Sequence, residues 1–123
     1  MGEPKKALIV DDSASIRQMV AFTLKEGGFA VLEATNGQEA LTRLDGGKVE
    51  LIITDLNMPV MDGLTFIKEV RSRSQSKHTP VLMLTTESQQ SMKQAGREAG
   101  ATGWLIKPFN PERLLQVIAK VVP

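Results

Sequence analysis

The sequence predicts an α/β fold, a single doubly wound parallel sheet of five strands and five helices occupying residues 1–123. Three observations predict it. Short apolar runs recur five times, each is followed by apolar residues at helical spacing, and polar residues able to do chemistry gather just after the runs.

The first run, Ala7-Leu8-Ile9-Val10, is continuously apolar, as a strand covered on both faces should be. Ile16, Met19, Val20 and Leu24 then repeat at helical spacing until Gly27-Gly28 ends the helix. Ala30-Val31-Leu32 is the second strand. Asn36 with Glu39 three residues on reads as a capping box for a helix carrying Ala40, Leu41 and Leu44. Leu51-Ile52-Ile53 is the third strand, followed by a turn-rich loop with Pro59 and Gly63. Phe66, Ile67 and Val70 mark the third helix. Val81-Leu82-Met83-Leu84 is the fourth strand. Ser88 is expected to cap a fourth helix whose buried face, Met92, Ala95 and Ala99, is thin. Trp104-Leu105-Ile106 is the fifth strand. Asn110-Pro111, an N-cap followed by proline in the first turn, opens a helix with Leu114, Leu115, Ile118 and Val121 on its core face.

Composition excludes several classes of function. The 15 Lys and Arg against 14 Asp and Glu leave no basic footprint for nucleic acid. With no cysteine, disulfides, thiolate catalysis and thiolate metal sites are out, and a reducing, cytosolic setting fits. The longest apolar runs are about four residues against the roughly 20 that span a bilayer. The first residues carry no apolar signal segment. Lys5-Lys6 and the Arg71, Arg73, Lys77 group are expected to be solvated surface, His78 a loop residue, and Met58 and Met61 packing around the third loop.

In a doubly wound sheet, ligands bind beyond the carboxyl ends of the strands, where strand order reverses. Strand one ends in Asp11-Asp12, strand three in Asp55, strand four in Thr85-Thr86 and strand five in Lys107. Strand two, ending at Ala34-Thr35, contributes little. Singly, each of these residues has an ordinary explanation: a turn aspartate, a surface lysine, the last threonine of a strand. Together at four strand ends they predict a site. Three crowded carboxylates repel unless a cation is present, and a hard, oxygen-only site suits Mg²⁺. Asp55 can attack phosphorus, Lys107 can hold one phosphoryl oxygen and Thr85 another.

The segments Leu8-Ile-Val-Asp-Asp-Ser13, Thr54-Asp-Leu-Asn-Met-Pro59 with Met61-Asp-Gly63, Val81-Leu-Met-Leu-Thr85 and Ile106-Lys-Pro-Phe109 resemble the receiver domain of two-component response regulators. The likeness runs from Ala7 to about Val122 and is greatest to single-domain chemotaxis regulators. It implies a flavodoxin-like sheet of order 2-1-3-4-5, with Asp55 as the phosphoacceptor. It further implies direct Mg²⁺ ligation by Asp12, largely water-mediated ligation by Asp11, and a backbone carbonyl ligand from Asn57. Thr85 would move toward the phosphoryl group with Lys107 as its ion-pair partner, and the Lys107-Pro108 bond would be cis. Asn57 and Glu87 would tune the lifetime of the phosphoryl group. Trp104 stands where this family often has a Tyr or Phe that switches rotamer, and the chain has no tyrosine.

The resemblance also implies a sensor histidine kinase, or a small acyl phosphate, as donor. Output would be protein binding by a monomer without an effector domain, to the flagellar motor switch or a phosphotransfer protein. Such a receiver is not an enzyme in the usual sense; the alternatives are a receiver of a phosphorelay outside chemotaxis and a fragment of a larger regulator. An aspartate-nucleophile phosphatase would require a second Asp where Asn57 stands. A flavodoxin-like cofactor binder would place phosphate against Asp11-Asp12, which repel it.

Overall fold

The computed structural model describes residues 3–108 and 110–122, apart from the side chains of Glu87 and Ser88. Five strands alternate with five helices: β1 (Lys6–Val10), α1 (Ala14–Glu26), β2 (Ala30–Ala34), α2 (Gly37–Asp45), β3 (Leu51–Asp55), α3 (Gly63–Ser72), β4 (Val81–Thr85), α4 (Lys93–Ala99), β5 (Gly103–Ile106) and α5 (Pro111–Val121). A 3₁₀ helix, Glu87–Met92, leads into α4. All strand pairs are parallel, in the order β2-β1-β3-β4-β5. The strands outrun their apolar cores: β3 continues to Asp55 and β4 to Thr85, because the ladder needs only backbone groups.

Alternation along each strand divides the core in two. Leu8, Val10, Ile52, Val81 and Met83 face α2, α3 and α4, where Leu41, Leu44, Phe66, Ile67 and Val70 cover them. Ala7, Ile9, Leu51, Ile53, Leu82 and Leu84 face α1 and α5, under Val20, Leu24, Leu114 and Ile118. Burial on both faces explains why the strands read as unbroken apolar runs rather than alternating ones.

The caps follow the sequence in all but one place. Asn36 accepts the Glu39 N–H at 2.9 Å, but the Glu39 carboxylate accepts from the N–H of Thr35, one residue outside a regular capping box. Asn110 accepts from the N–H groups of both Glu112 and Arg113. The fourth helix departs from expectation. Ser88 lies inside the 3₁₀ helix and its side chain is outside the described residues. Thr86 is the N-cap of that 3₁₀ helix, its N–H donating to Gln89 Oε1 at 2.9 Å, and Met92 stands at the N-cap of α4 itself. Met19, expected on the core face of α1, is 50% exposed. At about 100° per residue it lies a full step from Val20, and Thr23 takes the buried place. None of the helices among the described residues is long and apolar enough to cross a membrane.

Candidate functional site: an acidic cleft at the carboxyl edge of the sheet

Strand order reverses between β1 and β3, and there Val10 lies beside Thr54 in the ladder. The next residue on each strand is therefore an aspartate, Asp11 and Asp55, side by side. Oxygens of Asp11, Asp12 and Asp55 lie within 4.8 Å of one another. Asp11 is fully buried and Asp55 nearly so, whereas Asp12 is exposed.

Lys107 closes the group from two strands away. Its N–H donates to Thr85 O at 2.6 Å, pinning the start of the β5–α5 loop. From there its Nζ reaches Asp11 Oδ2 at 3.0 Å and Asp55 Oδ1 at 3.1 Å. The Lys107-Pro108 peptide is cis, as the resemblance implied. Burial and the neighbouring Asp11 charge push the Asp55 carboxyl above its ordinary pKa, while Lys107 and the Leu56 N–H pull it back. Burial lowers the Lys107 pKa, but the hydrogen bond it donates to Asp11 and the charges of both carboxylates outweigh it, so the ammonium is held above its usual value.

Local structure fixes each carboxylate differently. The Ser13 N–H donates to Asp11 Oδ1 at 2.9 Å while Ser13 Oγ caps α1. Asp55 Oδ1 accepts from the Leu56 N–H at 2.9 Å. Gly63 packs directly on this backbone: a Cβ there would meet Asp55 O at 2.2 Å, and its N–H donates to Leu56 O. Between them the loop makes a tight turn, with Met61 N–H donating to Pro59 O at 2.8 Å across Val60, whose φ is 73. Val60 is 81% exposed. Met58 and Met61 pack against the core beneath, as expected.

The remaining expected site residues are placed as follows. Thr85 is fully buried at the end of β4, and its hydroxyl donates to Leu105 O at 3.4 Å. Asn57 is exposed, two residues beyond β3. Trp104 lies in β5 opposite Met83, half-buried, with Lys93 Nζ 5.0 Å and Arg97 Cζ 5.6 Å from its ring centroid. Glu87, expected to tune phosphoryl lifetime, has its side chain outside the described residues, as does Phe109 altogether. Thus the structure brings Asp11, Asp12, Asp55 and Lys107 together, sets Thr85 on the adjacent strand end, leaves Asn57 exposed on the loop after β3, and keeps Trp104 within β5 against the core. An all-oxygen set of three carboxylates fits a hard divalent cation of the Mg²⁺ type.

Two arginine fastenings escaped the sequence reading, one beside the cleft and one at the opposite edge of the sheet. Arg17 of α1 and Glu33 of β2 form an ion pair at 3.1 Å, and Arg17 also donates to Asp11 O at 2.8 Å. The only sequence signal is an arginine one turn after Ser13. Arg71, read as solvated surface, is half-buried and donates to the carbonyls of Gly100 and Thr79. Burial lowers its pKa.

Comparison with known proteins bears on the same segments. The profile of the response regulator receiver domain matches residues 7–119. The chain is 40% identical over 119 residues to chemotaxis protein CheY1 of Helicobacter pylori, covering 95% of this chain and 96% of that one. It is 37% identical over 117 residues to chemotaxis protein CheY of Pseudomonas aeruginosa, covering 94% of each. The crystal structure of chemotaxis response regulator CheY4 of Vibrio cholerae superposes with a TM-score of 0.90 at 53% identity, covering 96% of this chain and 98% of that one. With the sheet order, the paired aspartates and the lysine all in place, the chain belongs to the response regulator receiver domain family, of the CheY type.

Proposed function

We propose that this protein is a phosphorylation switch in which Asp55 accepts a phosphoryl group from the phosphohistidine of a sensor kinase, or from a small acyl phosphate. The observation that carries the reading is the Asp55 carboxylate itself: nearly buried, beside two further aspartates, and salt-bridged to Lys107. Asp55 Oδ1 already accepts from Leu56 and Lys107, so Oδ2 is the oxygen available to phosphorus. In the transfer, the Asp55 oxygen forms a bond to phosphorus as the donor's nitrogen–phosphorus bond breaks. The electron pair leaves on the imidazole, which takes up a proton.

The residues divide the work. Asp11, Asp12 and Asp55, with the Asn57 carbonyl, would hold Mg²⁺, which when bound offsets the negative charge of the carboxylates and the incoming phosphoryl oxygens. Lys107 is positioned to transfer its ammonium from Asp55 to a phosphoryl oxygen, leaving its contact with Asp11 in place. The Thr85 hydroxyl, held among the described residues by one long bond to Leu105 O, can turn to a second phosphoryl oxygen. Its departure alters β4 at the entrance to the 3₁₀ helix and α4, with Trp104 on the neighbouring strand as the next side chain affected. The phosphoryl group acts only through its different affinity for the two arrangements.

Output is then protein binding rather than turnover of a metabolite, so the chain acts as a signalling domain and not as an enzyme. The names of its relatives favour chemotaxis, and the partner that the receiver family implies is a flagellar motor switch or phosphotransfer protein. Incubation with acetyl phosphate and Mg²⁺ should add one phosphoryl group to the wild type and none to Asp55→Asn, read by intact mass. An unmodified wild type, or equal modification of the variant, overturns the reading. Beryllofluoride with Mg²⁺ should shift amide resonances in α4 and β5; shifts confined to the strand ends near Asp55 would remove the coupling.

A further inference from the structure

We propose that Arg17 is a positioning residue for the acidic cleft, acting with Glu33 as a brace that fixes the Asp11–Asp12 peptide plane. The inference rests on the reading of the cleft as a Mg²⁺-dependent phosphoacceptor site. Arg17 uses two edges of its guanidinium: one NH₂ group donates to Asp11 O at 2.8 Å, and Nε donates to Glu33 Oε1 at 3.1 Å. Its side chain is only 16% exposed. Both ends of the brace are themselves anchored. The Arg17 N–H donates to Ser13 O in the first turn of α1, and the Glu33 carbonyl accepts from Arg43 Nε at 3.2 Å.

The peptide group is planar, so the atom that holds Asp11 O also fixes the Asp12 nitrogen and the direction in which the Asp12 side chain departs. Asp11 has other supports: its N–H donates to Ala34 O, and its carboxylate is held by Ser13 and Lys107. Asp12 is exposed, and no protein hydrogen bond or ion pair to its carboxylate is found among the described residues. Its place among the three carboxylates is inherited from the plane that Arg17 holds. Strand β2, whose own end carries no chemistry, thereby contributes to the cleft through Glu33. Only a rigid fork can bond a carbonyl and a carboxylate at once in this way; a lysine offers a single point of charge.

A brace and a bare charge make opposite predictions. As charge alone, removing Arg17 would strengthen binding of a cation nearby and removing Glu33 would weaken it. As a brace, both removals loosen the same plane and both weaken binding. Mg²⁺ titration followed by amide NMR should therefore show the dissociation constant rising about threefold to tenfold in Arg17→Ala, in Arg17→Lys and in Glu33→Ala alike, the low end of what outer supports of metal ligands contribute. The double variant should be no worse than Arg17→Ala alone, since the two act as one unit. Tighter binding in Arg17→Ala, full rescue by Lys, or affinities equal to wild type would overturn the brace. Should Arg17→Ala fail to fold, Arg17→Lys and Glu33→Ala carry the test. Acetyl phosphate labelling separates the layers: an inert wild type removes the underlying site, whereas a labelled wild type with unaltered variants removes only the brace.

Discussion

Helices α3 and α4 cover neighbouring parts of one sheet face, yet they are held by different physics. Helix α3 buries Phe66, Ile67 and Val70 completely. The seven-residue α4 buries only Gly96 and Ala99, and enters through a 3₁₀ turn. In place of an apolar stripe, α4 has polar fastenings. Lys93 and Arg97 lie over the Trp104 ring, and Arg71, reaching from α3, holds the carbonyl of Gly100 at its C-cap. Apolar burial cannot be released piecemeal, whereas cation–ring and hydrogen-bond contacts can be exchanged one at a time. The comparison teaches that the element following the Thr85 strand end is fastened loosely at its entrance and firmly at its exit, as a switching element needs to be.

Substitutions test that contrast in descending order. Phe66→Ala should cost about 4 kcal/mol in urea unfolding, whereas Met92→Ala at the α4 entrance should cost about 1 kcal/mol. Equal losses would abolish the distinction. Arg71→Ala should cost about 2 kcal/mol, because it strands the Gly100 and Thr79 carbonyls in a half-buried corner. Arg71→Lys should recover less than half of that, a single ammonium being unable to serve both loops.

The strand ends feeding the two helices differ as well: β3 ends in a burdened carboxylate and β4 in a neutral hydroxyl. Because the folded Asp55 pKa lies above its ordinary value of 3.8, the folded state binds this proton more tightly than the unfolded chain does. The stability it contributes is greatest below pH 3.8 and is lost as pH rises through the raised value. Metal-free Asp55→Asn should therefore be more stable than wild type at neutral pH, with the gap narrowing in acid. A variant less stable than wild type would show that the Lys107 ion pair outweighs burial. The smallest effect should come from Lys93→Ala and Arg97→Ala, about 0.5 kcal/mol each in unfolding, accompanied by a clear change in Trp104 fluorescence. Unchanged emission in both would remove the cations from the α4 fastening.

The same division governs what the sequence disclosed. The five strands were legible because burial on both faces demands continuous apolar runs, and α3 because Phe66, Ile67 and Val70 mark a single stripe. Asp11, Asp12, Asp55 and Lys107 were legible as a cluster because a parallel sheet puts every strand's carboxyl end on one edge. Helix α4 was misread at its start because Ser88 has the chemistry of a cap, while the cap that formed is Thr86 paired with Gln89. Its buried face was incompletely read because Gly96 has no side chain to signal burial. A Cβ there would meet Met83 Sδ at 2.2 Å, so the missing atom is what lets the helix approach the sheet. Arg71 and Arg17 were illegible for a shared reason. Each holds a backbone carbonyl, which leaves no complementary residue in the sequence to find, and the carboxylate that Arg17 also holds, Glu33, sits on another element sixteen residues away.

Val60 turns, in the loop that follows Asp55, in a backbone conformation that β-branched residues avoid, with its methyl groups in open solvent. Asparagine or glycine would accept that geometry at lower cost. The protein thus keeps, within one short loop of Asp55, a position where greater thermal robustness is within reach of a single codon change. An engineer seeking a hardier scaffold would begin there, and the labelling rate of the result would reveal whether that tension belongs to the chemistry or merely to the chain.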